Sequence, residues 1–167
     1  MTQEGRRPIS DPAHDLRATP DFELTVEIAV APAVLHDFLC VLENLAPLHP
    51  LIESIRALPP RADLPRARHY RIVDRIPVGP FTLKTVYTAA LDPVSPTEVH
   101  GLAWQSPGIH LHTIYRIEPE PGGLLLREQV RVEAPWLLLR FVVAQASASH
   151  RTTLFEMKAL LEARARA

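Results

Sequence analysis

The chain has 167 residues, 47% of them hydrophobic and 22% charged, with a formal net charge of -1. That length predicts one domain with a real core, and the near-neutral balance speaks against a nucleic-acid or anionic-membrane surface, which needs a basic excess. The single cysteine, Cys40, excludes an internal disulfide. A reducing, cytoplasmic location is therefore expected. No run of 18 apolar residues is present to span a bilayer, and the N-terminal residues lack the apolar stretch of a secretion signal.

Residues 1–20 mix Pro, charge and small polar groups without period and read as a flexible tail, leaving 21–167 as one domain. Over 22–30 the chain alternates, Phe22, Leu24, Val26, Ile28 and Val30 against Glu23, Thr25 and Glu27, which predicts a half-buried strand. Ala31-Pro32 opens a helix to about Asn44 with Val34, Leu35, Phe38, Leu39 and Leu42 on its apolar face. Cys40 sits on it as a small core residue. After a break over 45–50, residues 51–58 read as a second short helix or a helix running into a strand, and 59–68 as a loop. Strands follow at 69–76, 81–91, 98–105, 109–118 and 124–133. Their short Pro- and Gly-containing links predict antiparallel hairpins. One link, Pro77-Val78-Gly79-Pro80, is a tight turn, either at a cavity mouth or a plain connection. From Pro135 to the end nothing breaks a helix, about 45 Å long at ~1.5 Å per residue. Its apolar stripe is Leu139, Val143, Ala146, His150, Leu154, Met157 and Leu161, and it thins to Ala and Ser between Ala144 and Ser149. Strands grouped apart from helices define an α+β fold.

Charged residues mark the outer face of each strand. Lys84 and Thr82 then face out and Phe81, Leu83, Thr85, Tyr87 and Ala89 in. His69, Arg71 and Arg75 face out, leaving Tyr70, Ile72, Asp74 and Ile76 in. Arg116 and Glu118 carry His110 and His112 out and send Leu111, Thr113, Tyr115 and Ile117 in. Arg127 and Arg131 face out, leaving Leu124, Leu126, Glu128, Val130 and Val132 in. An inner face holding Tyr70, Asp74, Thr85, Tyr87, Thr113, Tyr115 and Glu128 is too polar for a dry, sealed core. It encloses a partly wet cavity, or several of these residues sit at its rim.

The opening FELTVEIAVAPAVLHDFL, the break LAPLHPLIESI and the closing PWLLLRFVVAQASASHRTTLFEMKALLEA resemble the START-like, Bet v 1-like superfamily, within it the polyketide cyclase/dehydrase and lipid-transport branch. The resemblance covers roughly 22–162. It implies a helix-grip fold: a curved antiparallel sheet of about six to seven strands around a long C-terminal helix, with two short helices after the first strand. It also implies a hydrophobic cavity that takes a lipid, polyketide or similar small molecule. Some members are aromatase/cyclases that use cavity Arg, Tyr and Trp. Here the strand over 98–104 keeps Trp104 and offers no arginine to orient an enolate.

The ligand-binding residues expected on this basis are Tyr70, Asp74, Thr85, Tyr87, Trp104, Thr113, Tyr115, Glu128, Val143, Ala146, His150 and Met157. His150 is either a general acid or base of a cyclase or dehydratase or a hydrogen-bonding partner of Glu128 or a tyrosine that fixes the helix. Asp74 and Glu128 lie on strands too far apart to share a proton in such a fold. His110 and His112 share a face, but two ligands do not make a metal site. No metal or cofactor is expected, and no nucleic acid or integral membrane association; monomer and homodimer both stay open. The leading expectation is binding of a hydrophobic small molecule. An enzyme using the same cavity is the alternative, and a protein-interaction module with a collapsed cavity the third.

Overall fold

The computed structural model describes residues 21–167, so the expected tail at 1–20 lies outside the described residues. In chain order come strand β1 (Phe22–Ile28), helices α1 (Pro32–Leu39) and α2 (Leu42–Leu45), a 3-10 turn (Ala46–Leu48), strands β2 (Ile52–Leu58), β3 (Arg68–Val78), β4 (Phe81–Ser95), β5 (Glu98–Gln105), β6 (Ile109–Glu120) and β7 (Gly123–Glu133), and helix α3 (Trp136–Arg166). Every neighbouring pair is antiparallel, and the sheet order is β1-β7-β6-β5-β4-β3-β2. Strands β2 to β7 thus form a meander, and β1 crosses back to pair with β7. The result is a curved, open sheet with a long C-terminal helix, the α+β helix-grip arrangement.

Residues 51–58 contain no helix; 52–58 form β2, and a bulge explains why the sequence reads otherwise. Ile52 pairs with Asp74 and Ile55 with Ile72, with the register shifting between Ile52 and Ser54. The extra residue puts two side chains three apart on one face of a strand, which imitates helical spacing. The first helix also stops short of Asn44. Cys40 stays helical, but Val41 is extended (φ -128, ψ 108) and restarts the chain as the N-cap of α2. This step turns Leu35, Phe38 and Leu39 and then Leu42 and Leu45 into one core, while Val34, expected on the apolar face, lies at its edge and is half exposed.

That core lies at one end of the molecule. Ile28, Leu124, Leu126, Ile117 and Val99 of the sheet meet α1, α2 and the later turns of α3, where Leu154, Met157 and Leu161 are buried. Each such side chain removes apolar surface from water, about 1.5–3 kcal/mol apiece. Polar ties fix the same end: Lys158 donates to the Glu27 carbonyl at 2.7 Å, and the Ala29 N–H donates to Glu162 at 3.0 Å. Gly123 is required here, because a Cβ at that position would stand 2.6 Å from the Ile28 carbonyl oxygen.

At the other end the packing loosens. Leu83 faces inward as expected and borders the cavity, but it is 51% exposed and Phe81 75%, because the β3–β4 hairpin runs on past the part of the sheet that α3 covers. Trp136 and Leu137 open α3 exposed to solvent. His69, placed on the outer face, is nonetheless buried: the β2–β3 loop folds over that face, and the Leu64 carbonyl lies 3.2 Å from His69 Nε2. No helix among the described residues is long and apolar enough to cross a membrane.

Candidate functional site

Between the concave face of the sheet and the first half of α3 lies a cavity of about 440 Å³, closed on one side by α2 and the turn that carries His49. Its space has a local cause. Ala146 and Ser149 face it from α3, and Ala89, Gly101 and Ala103 from β4 and β5. Gly101 sits between Leu91 and Thr113, where an added Cβ would already be 3.4 Å from the Thr113 Cβ. Leu138, Phe141 and Val142 form the wall of α3 nearer its start.

Two polar groups interrupt the apolar wall. In the first, the Tyr87 hydroxyl donates to Asp74 Oδ2 at 3.1 Å, and Thr85 stands directly opposite Asp74 in register. Burial, only partly offset by the Tyr87 hydrogen bond, pushes the Asp74 carboxyl up to about 6. Burial and the neighbouring Asp74 charge push the Tyr87 phenol well above its ordinary range. In the second, His150 Nδ1 meets Glu128 Oε1 at 2.6 Å, with Glu128 only 1% exposed. Tyr115 stands opposite Glu128 in register, its phenol raised by burial and then by the Glu128 charge. Burial alone would lower the His150 pKa, but the charge and hydrogen bond of Glu128 raise it. Phe22 and His49 pack edge-on against the His150 ring, with centroids at 5.8 and 6.1 Å. Burial, then the His150 charge, push His49 down to about 3, so it is neutral at neutral pH.

Of the expected ligand-binding residues, Asp74, Thr85, Tyr87, Thr113, Tyr115 and Glu128 border the cavity, as do Ala146 and His150. Four do not. Tyr70 points inward but under α2, donating to Glu43 at 3.0 Å within the core. Met157 is fully buried beyond the cavity's end, in that same core. Val143 is displaced from the wall by Val142, because the early turns of α3 present a face one residue off the expected stripe. Trp104 lies on the outer face, paired with Thr88 and His110, and carries the Arg61 guanidinium 5.1 Å over its ring.

Several histidine rings lie where the sequence reading did not put them in contact. His49 borders the cavity; its position within a break between elements gives no periodicity from which to assign a face. His36, one turn before Cys40, brings Nε2 to 3.7 Å from the thiol. His112 turns to His100 at 3.3 Å, and His100 to Glu98 at 2.7 Å, while His110 pairs loosely with Glu133 at 3.6 Å. Among the described residues no group of three or more His, Cys, Asp or Glu is arranged to hold a metal ion. The Asp74 and Glu128 strands, β3 and β7, are separated by three others.

The sheet, the long C-terminal helix and the space between them make up the helix-grip fold. The chain belongs to the family described as a domain of unknown function (DUF7053), whose model matches residues 23–163. It is similar in structure to the di-domain ARO/CYC StfQ from the steffimycin biosynthetic pathway (TM-score 0.67, 16% identity, covering 87% of this chain and 52% of that one). It thus spans about half the length of StfQ. Similar too are the Zhui aromatase/cyclase from Streptomyces sp. R1128 (TM-score 0.56, 16% identity, covering 87% and 93%) and a START superfamily protein from Mycobacterium smegmatis (TM-score 0.58, 17% identity, covering 86% and 94%). At these identities the likeness shows the fold. No curated protein matches.

Proposed function

We propose that this protein binds a hydrophobic small molecule, such as a lipid or polyketide, between the sheet and α3, for transport or sequestration. The observation that carries this reading is the cavity itself: about 440 Å³ with a mostly apolar wall, which falls in the ordinary size range of small-molecule sites. Small residues on α3 and β5 keep it open where large ones would fill it. The third expectation, an interaction module, called for a collapsed cavity, and a volume of this size argues for a ligand instead. A cytoplasmic site of action fits the single free thiol.

A second reading, an enzyme acting in the same cavity, draws on the His150–Glu128 pair at its wall. The two readings separate in His150→Ala: a binder keeps its ligand response, whereas an enzyme loses turnover and still binds. Native mass spectrometry of the full chain purified from its own cells tests the leading reading. An adduct of small-molecule mass that leaves on denaturation supports it. Bare protein that also takes up no apolar probe argues against it.

A further inference from the structure

The polar groups of the cavity are unevenly matched. Among the described residues its wall carries two carboxylates, Asp74 and Glu128, and neither lysine nor arginine. Glu128 has His150 as a counter-charge at 2.6 Å, whereas Asp74 has the neutral Tyr87 hydroxyl. His49 contributes no positive charge at neutral pH. A carboxylate or phosphate head group entering this space meets an uncompensated carboxylate in a low-dielectric wall and finds no free cation to bind.

The donors and acceptors point to what fits instead. Asp74 and Thr85 are register partners on adjacent strands, so their side chains leave the same face about 5 Å apart at Cβ. Asp74 Oδ1 and Thr85 Oγ1 are both buried and have no hydrogen-bond partner in the protein among the described residues. Asp74 as a whole is 6% exposed. A small side-chain turn toward the cavity brings these two atoms to one ligand group. A hydroxyl is complementary to both, donating to the carboxylate and accepting from the threonine. A hydrocarbon satisfies neither, and an ammonium leaves the threonine hydroxyl without an acceptor.

We propose that the cavity selects neutral hydrophobic alcohols or phenols, holding the hydroxyl between Asp74 and Thr85, and turns away carboxylate and phosphate head groups. This rests on the cavity-binding reading above. Four probes with one skeleton test it at neutral pH by calorimetry on the full chain: naphthalene, naphthol, naphthoate and naphthylmethylammonium. Naphthol is expected to bind tightest, about tenfold tighter than naphthalene, the scale of a hydrogen bond to a charged group. Asp74→Ala should reduce naphthol to the naphthalene level, and Thr85→Val should weaken it part of the way. Naphthoate should bind measurably only in Asp74→Asn. Naphthoate binding the wild type as well as naphthol overturns the proposal, as does a naphthol advantage that survives Asp74→Ala undiminished. Equal binding of naphthalene and naphthol overturns it too, while leaving the cavity reading in place. Failure of all four probes to bind removes both.

Discussion

Glu128 is buried to 1% exposure in a wall without lysine or arginine, and His150 alone offers it a full counter-charge there. Removing one member of such a pair leaves the other stranded, so His150→Ala should cost about 3 kcal/mol in urea unfolding. The pH dependence follows from the direction of the shift. The His150 pKa is raised above its ordinary 6.5, so its stabilisation is complete below that value and is lost as pH rises through the raised one. The stability gap between wild type and His150→Ala should therefore shrink as pH rises above 6.5. His49 has the opposite sign. Its pKa falls to about 3, so its contribution is present above 6.5 and lost as pH falls toward 3, and His49→Leu should lose less stability over that window than the wild type. The inward placing of Asp74, Tyr87, Tyr115 and Glu128 was legible because each of their strands carries an arginine or lysine that fixes the outer face. β5 lacks that mark. Its inward residues are Gly101 and Ala103, so the large Trp104 looked like the wall when it stands on the other side.

At the scale of elements, periodicity served where an element was regular and misled where it was not. β7 alternates without fault, and Leu124, Leu126, Glu128, Val130 and Val132 are all buried. The bulge of β2 spaces Ile52 and Ile55 like a helix, and the sequence pattern there holds nothing that separates the two. The stripe of α3 is met from Ala146 onward and slips by one residue before it, where the helix leaves the core for the cavity. The tight approach of β7 to the end of β1 makes a separate prediction. Gly123→Ala drives a Cβ against backbone, so it should lower stability by about 2 kcal/mol, read from the urea midpoint. The thin centre of α3 makes the reverse one. Ala146→Leu places its added carbons in open cavity, so it should keep or raise the melting temperature while excluding ligand.

For the molecule as a whole, the meander order could be read from the short turns, whereas the pairing of β1 with β7 was not legible, because the alternation of β1 marks its inner face and not its neighbour. The cavity belongs to this scale as well, since no single element contains it. One end of the molecule is closed by α1, α2 and the later turns of α3, and the other stays open under the first turns of α3 and the projecting β3–β4 hairpin. A protein with no use for the space could fill it by a few substitutions to larger residues and gain packing. The central claim is that this space holds a hydrophobic molecule. Its most direct test is a calorimetric titration of naphthol into the wild type and into Ala146→Leu, with urea unfolding to show that both are folded. The account predicts saturable one-to-one binding in the wild type and its loss in the filled variant. Equal binding by the two proteins would contradict it.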